Sequence, residues 1–399
     1  MASGSQIPMA SRLTSRRFAG FLGLVYGTGF GLLGTHLPFF PVWLRAVDVD
    51  PAWIGIITAV PSVTRFTTLP FVTGLAERHQ ALRGGIIVLG FATAIGLAVV
   101  GLQHQAWSIF LAYAVTCCVW TPMVPLTDAY ALRGVRQYSL DYGPLRLWGS
   151  AAFVLGALAC GALIDVIAAQ YLVWIIAGMA AINALTSLGL RPLRPLKPSS
   201  TALHGANALL RDRGFLAIIV ASALIQSSHS AYYVVASIAW RQEGFGGLTI
   251  AGLWTLGVLA EIVVFALSPR FTLAPATQVV IAAACAAARW TITAWAPPIA
   301  ILAPVQLMHG LTFGLTQVGI MNLMVHQVPG HVTARGQGYL AACSGIVSGS
   351  SYVLSGVVFA RYGQNVYYVM AVIAACGGLV MWSARGRLAD HPHSSGSGG

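Results

Sequence analysis

Apolar stretches of about 20 residues follow one another along the whole sequence; that length matches a helix crossing a hydrocarbon layer, whereas a barrel strand needs about 10 residues in strict alternation. Of 399 residues, 57% are hydrophobic and 8% charged, against about 25% charged in an average soluble domain. So little charge cannot cover a soluble surface, which excludes a soluble enzyme. Disorder, collagen and a disulfide scaffold are excluded as well. The six cysteines lie in apolar stretches with no metal-ligand or disulfide spacing, and read as small packing residues.

The expectation is an all-α membrane protein. Twelve helices of about 21 residues use about 250 positions, which leaves no room for a separate soluble domain. The helices are predicted near 18–43, 52–74, 84–102, 107–132, 143–167, 170–190, 215–240, 249–268, 276–296, 298–326, 335–360 and 364–384. The polar, proline-bearing stretch RPLRPLKPSSTALHGANALLRDR (191–213) reads as a cytoplasmic linker. The predicted organisation is therefore a cytoplasmic tail at 1–17, a six-helix bundle at 18–190, the linker, a second bundle at 214–385 and a tail at 386–399. MASGSQIP and SSGSGG at the ends read as accessory, and the basic segment before helix 1 lacks a signal-peptide cleavage site.

With both termini inside, sixteen of the 22 Lys and Arg residues fall in cytoplasmic segments, as the positive-inside rule requires. The net charge of +12 is then topology, scattered over short loops rather than gathered into a nucleic-acid patch. The halves also echo each other: an eleven-residue step from Ile54 to Arg65 in helix 2 is matched by Ile250 to Glu261 in helix 8, 196 positions on. Parallel repeats of six helices build transporters in this way.

Ionisable residues inside apolar spans are functional candidates because their burial is costly. Asp128 and Arg146 lie eighteen positions apart across the turn centred on Gln137. Nine residues of helix are about 13 Å, close to half of a hydrocarbon core of about 30 Å, so both reach one level near the midplane. Such a pair is either a structural ion pair or a set of acceptors and a planar donor fork for a polar solute. Glu261 and Arg289 each lie fourteen residues from Pro275, and His309 lies about eleven residues into helix 10. This trio is either a static network or a site that loads and releases a proton. Arg65 lines a cavity, binds an anionic group or snorkels to the inner face. His229, beside Tyr232 and Tyr233 in SSHSAYY, is a cavity residue or a satisfied core histidine. Trp148, Trp240 and Trp254 could stack on a sugar or aromatic ring, or serve in the membrane-interface belt or in packing.

GxxxxGK[ST], HExxH and CxxC do not occur. The pair His326/His331 lacks nearby acids or cysteines, so no metal or other cofactor is expected, with a proton as the only coupling ion.

YGPLRLWGSAAFVLG (142–156) resembles the start of helix 5 in the phenylpropionate permease family of the major facilitator superfamily, a family related to lactose permease. SSHSAYYVVASIAW (227–240), GLWTLGVLAEIVVFALSPRF (252–271) and LMHGLTFGLTQVGIM (307–321) are similar to its helices 7, 8 and 10. GLAERHQALR (74–83) is a degenerate form of the superfamily's loop between helices 2 and 3, with Glu77 in place of aspartate. The resemblance implies two pseudo-symmetric six-helix bundles. It also implies that Asp128 and Arg146 stand where lactose permease has its sugar-binding glutamate and arginine. Arg289 and His309 match its proton-coupling arginine and histidine, while Thr312 replaces the acid one turn later, leaving Glu261 as the nearest acid.

The expected function is secondary transport, with proton-coupled uptake of an aromatic carboxylate, sugar or nucleoside by alternating access. Asp128, Arg146, Trp148, Arg65, His229, Tyr232 and Tyr233 are the expected substrate residues, with Glu261, Arg289 and His309 coupling the proton. Export of drugs or metabolites on the same fold is the alternative, and a non-transporting receptor is a third class. The expected partners are the substrate and the lipid bilayer of a bacterial-type inner membrane, around a monomer.

Overall fold

The computed structural model describes residues 9–138, 140, 142–193, 209–328 and 333–389, and side chains for all of these except 9–14, 77, 136, 142–147, 333–334 and 389. Most of the predicted linker and the outer parts of both predicted tails lie outside the described residues.

Among the described residues all regular structure is helical. In chain order it comprises α1 (Met9–Ala46), α2 (Pro51–Phe66 and Thr68–Arg78), α3 (Leu82–Gly101) and α4 (Ala106–Trp120 and Met123–Tyr138). Then come α5 (Tyr142–Ile164), α6 (Leu172–Ser187), α7 (Arg213–Ser227 and Ser230–Gln242) and α8 (Gly247–Leu267). The last four are α9 (Pro275–Ala294), α10 (Ile299–His309, a π-helical turn Gly310–Gly314, and Leu315–Gln327), α11 (Thr333–Tyr362) and α12 (Val366–Ala389). Helix α1 begins nine residues before the apolar run does. Apolar content marks the part of a helix suited to lipid, whereas Ala, Arg and Leu continue the helix beyond it.

Among the described residues, eight stretches are long and apolar enough to cross a membrane, the longest of them, Arg335–Leu388, spanning most of α11 and α12. The distribution of side chains is inverted relative to a soluble protein. Val88, Ile95, Val115, Leu155, Val372 and Leu379 are 62–71% exposed, while Arg289, His229, Thr312 and Thr316 are buried. Apolar groups outside and polar groups inside are what a hydrocarbon solvent demands.

The chain clusters into two compact units, one of Met1–Val47 and Thr67–Ser199, the other of Asp48–Phe66 and Ser200–Gly399. The first half of α2 thus belongs to the second unit, where it packs along α11. The internal pairings repeat. In the first unit α1 packs on α5 and α6, and α3 on α4 and α6. In the second, α7 packs on α11 and α12, and α9 on α10 and α12. Ala46 and Gln242 close α1 and α7, and Pro51 and Gly247 open α2 and α8, both pairs 196 positions apart.

Glycines bring some of these helices into backbone contact. A Cβ on Gly34 of α1 would lie 2.2 Å from the carbonyl oxygen of Phe153 in α5, and one on Gly156 would lie 2.5 Å from that of Gly31. Small residues of this kind allow close helix crossing where lipid offers no hydrophobic drive.

The helix breaks have local causes. In α4, Pro122 has no N–H to give. In α7 no proline is present; instead the Ser228 hydroxyl and His229 Nδ1 both bond the Ile225 carbonyl, at 2.6 and 3.2 Å. That carbonyl would otherwise serve the helix, and side-chain competition for it bends helices.

Candidate functional site

The second unit gathers five of the expected residues, His229, Tyr232, Tyr233, Glu261 and His309, around the buried guanidinium of a sixth, Arg289. Arg289 on α9 has no exposed surface. Its Nη1 donates to His309 Nδ1 at 2.9 Å and to the Thr312 hydroxyl at 3.2 Å, and its Nη2 donates to Gln306 Oε1 at 2.9 Å. The plane lies over Trp290 and Tyr232, 4.4 and 5.0 Å from their ring centroids. Nε has no hydrogen-bond partner among the described residues.

Chemistry fixes the direction of these bonds. A guanidinium only donates, so His309 accepts at Nδ1 and carries its proton on Nε2. That Nε2 lies 3.8 Å from Glu261 Oε2 on α8, within reach of one small side-chain movement. His229 donates from Nδ1 to the Ile225 carbonyl, so its Nε2 accepts, and the atom 3.0 Å away is the Thr312 hydroxyl. Thr312 therefore receives from Arg289 and gives its one proton to His229, for which the His309 carbonyl at 3.3 Å is the more distant competitor. Arg289 thus fixes the tautomer of His309 directly, the Ile225 carbonyl fixes that of His229, and the Thr312 hydroxyl links the two.

Local structure makes this possible. The break at Ser228–His229 places His229 in the core, with Trp290 edge-on at 5.0 Å. The π-turn follows His309 directly and includes Thr312; such turns occur often at functional sites. Gly310 must lack a side chain, since a Cβ there would lie 2.5 Å from the carbonyl oxygen of Ala260, next to Glu261. The direct contacts of Arg289 are neutral acceptors and ring faces, and the carboxylate stands behind His309. Tyr232 is buried and Tyr233 half-buried; the Trp254 ring packs against Tyr232 with centroids 4.3 Å apart and planes tilted by 36°, and its N–H donates to Ser237 at 2.9 Å.

Arg65, on the first half of α2, is exposed and has no hydrogen bond or ion pair among the described residues. In the first unit, Tyr26 of α1 donates to Asp128 Oδ1 of α4 at 2.6 Å. Beside it lies a cavity of about 30 Å³, walled by Tyr26, Phe30, Thr93, Trp120 and Asn183 among others. Trp148 is 63% exposed, and the Arg146 side chain lies outside the described residues. The sequence reading did not single out Tyr26, Gln306 or Trp290, and placed Thr312 only as a missing acid. Tyr26 stands 102 residues from Asp128, a separation at which no periodicity signals a contact.

The family model described as the MFS_1 like family matches residues 21–370. The chain is 30% identical over 363 residues to a protein of Escherichia coli (strain K12) named "Probable 3-phenylpropionic acid transporter", covering 89% of this chain and 94% of that one. It is 24% identical over 370 residues to the maltose permease of Geobacillus stearothermophilus, covering 90% and 92%. Its fold is similar to the crystal structure of the nucleoside transporter NupG, with a TM-score of 0.77, 16% identity and coverage of 92% and 99%. The chain belongs to the MFS_1 like family and is a multi-pass membrane transporter of small molecules, of the major facilitator type, and not an enzyme.

Proposed function

We propose that this transporter imports a small organic anion together with a proton, and that the anion is an aromatic carboxylate. The observation that carries the reading is Arg289: fully buried, hydrogen-bonded to neutral groups, and separated from Glu261 by His309. A buried cation without a direct counter-ion is costly. With Glu261 ionised, the site balances its own charge through His309. With Glu261 protonated, the site carries a net positive charge and favours a substrate anion. Proton and anion then load together and leave together, which is symport by linkage.

The rings around Arg289 favour an aromatic anion over a sugar or nucleoside, since Trp290 and Tyr232 already present their faces to the guanidinium. The name of the Escherichia coli relative points to the same class. In this reading Glu261 carries the proton, Arg289 and His309 couple it, and His229, Tyr232 and Tyr233 shape the pocket. Asp128, Arg146, Arg65 and Trp148 supply polar and stacking contacts to the substrate. The helices form twelve spans in two six-helix bundles, with both termini and the linker cytoplasmic, in a bacterial inner membrane, and the monomer is the working unit without cofactor.

The test is uptake into proteoliposomes under an inward proton gradient. Labelled 3-phenylpropionate should accumulate above its external concentration and lose that accumulation when a protonophore is added. Equal uptake with and without the gradient would refute proton coupling. Accumulation of maltose or a nucleoside instead would refute the substrate class.

A further inference from the structure

The first unit has a second cavity, remote in sequence from the charge cluster around Arg289. It is a half-open pocket of about 230 Å³ between the α2–α3 turn, the second half of α4 and the chain that follows α6. Its described lining carries two arginines, Arg83 and Arg133, and no acid. The walls are tied together. Tyr130 donates to the Arg191 carbonyl at 2.7 Å and accepts from the Arg191 N–H at 3.0 Å. Arg83 donates from Nε to the Leu190 carbonyl at 2.6 Å, which fixes its guanidinium, and its two terminal nitrogens make no hydrogen bond with any described residue. Arg133 makes no hydrogen bond or ion pair with any described residue.

The N-terminus of α3 also lines this cavity. Its N-cap is Ala81, which has no side chain to cap with. The first intrahelical bond runs from the Gly85 N–H to the Ala81 carbonyl, at 2.7 Å, and the N–H groups of Leu82, Arg83 and Gly84 have no acceptor among the described residues. A Cβ on Gly84 would meet nothing within 4 Å, so the backbone there is open. The turn is set by Gln80 at φ +51° and by the Ala81 N–H bonding back to the Ala76 carbonyl at 2.8 Å.

We infer that this cavity is a binding site for a phosphate-bearing anion, held by Arg83, Arg133 and the uncapped N-terminus of α3. Two guanidinium groups offer forked donors to phosphate oxygens, and free helix N–H groups with the positive end of the helix dipole complete a tetrahedral anion's shell. In the proposed orientation the site faces the cytoplasm at the membrane boundary. The anion is therefore either the headgroup of a phospholipid or a soluble phosphate. The inference does not depend on the transported substrate.

The test follows the melting temperature of the purified protein in two arms. In detergent, sodium phosphate is titrated against sodium chloride at constant ionic strength. In phosphatidylcholine vesicles, phosphatidylglycerol is added or omitted. The wild type should show a saturable upward shift in at least one arm. Arg133→Gln should raise the half-saturating concentration about tenfold or more. Ala81→Asp supplies a good helix cap, so it should fold at least as well, yet it should lose the shift because its carboxylate occupies the same N–H groups. A shift with phosphate identifies a soluble ligand; a shift with phosphatidylglycerol alone identifies the lipid headgroup. No shift in either arm, or an equal shift in both variants, would overturn the inference.

Discussion

Arg289 and His309 share a 2.9 Å hydrogen bond in which the arginine is necessarily the donor, so His309 accepts at Nδ1 and presents its Nε2 proton toward Glu261. The bond fixes the tautomer of one residue by the chemistry of the other. It also separates the buried cation from its carboxylate by one imidazole, the arrangement on which the proposed coupling rests.

Arg289→Lys should keep the charge and lose the fork. An ammonium cannot serve His309, Thr312 and Gln306 together from a single plane, nor lie flat on Trp290 and Tyr232. Losing one or two charge-assisted hydrogen bonds is worth about 1.5–3 kcal/mol each, so substrate affinity should fall at least about tenfold. Ligand-induced thermal stabilisation in detergent measures this, and unchanged affinity would remove Arg289 from the binding site.

Glu261→Gln should uncouple transport without preventing it. The amide approximates a permanently protonated carboxyl, so the site stays positive and keeps its anion. Exchange of labelled for unlabelled substrate should persist near wild-type rate, while uphill accumulation falls to equilibrium and uptake loses its dependence on pH. Both are read in proteoliposomes. Intact uphill uptake would move the proton to another group.

Gly34→Ala should destabilise the first unit far more than its size suggests. The new Cβ would sit 2.2 Å from the Phe153 carbonyl oxygen, a backbone atom that cannot rotate away. Overpacking typically costs about 1–3 kcal/mol, and separating α1 from α5 also breaks the seam at Gly156. Gly20→Ala is the control, because a Cβ there meets nothing within 4 Å; it should be neutral or slightly stabilising. Thermal unfolding in detergent distinguishes the two.

The sequence made the helices legible because lipid imposes a coarse rule: apolar for about 20 residues, then a break. It also placed Glu261, Arg289 and His309 at one depth, since helical rise converts spacing into height. Rotation about the helix axis was not legible. The π-turn at Gly310–Gly314 adds a residue within one turn, and each residue turns a helix by about 100°, so faces beyond it do not follow the regular period. Thr312 joins the cluster from within that turn, whereas Gln306 and Trp290 lie in regular helix, on faces that only the packing of α9 against α10 selects. The break at His229 was hidden for a related reason, because it arises from serine and histidine side chains rather than from proline. The packing of Pro51–Phe66 into the second unit depends on contacts across nearly the whole chain, which no local pattern records.

Thr312→Val offers the sharpest separation between a hydroxyl that orders the cluster and one that merely fills space. Valine matches threonine in shape, so packing is retained. What disappears is an acceptor for Arg289 at 3.2 Å and the donor to His229 Nε2 at 3.0 Å. A buried polar atom left without its partner costs about 1–3 kcal/mol. For a protein of about 150–250 residues each kilocalorie lowers the melting temperature by about 2–4 °C; this longer chain should fall at or below that range. Thr312→Ser restores the hydroxyl with a smaller side chain and should recover most of the loss. The second readout is coupling. Without the hydroxyl, nothing in direct contact fixes the Nε2 side of His229, and Arg289 is free to lean toward His309. The pH at which uptake is half-maximal should then shift in Thr312→Val and return in Thr312→Ser. If valine and serine behave alike in both measurements, the hydroxyl has no role in ordering the cluster, and Arg289 and His309 act without His229.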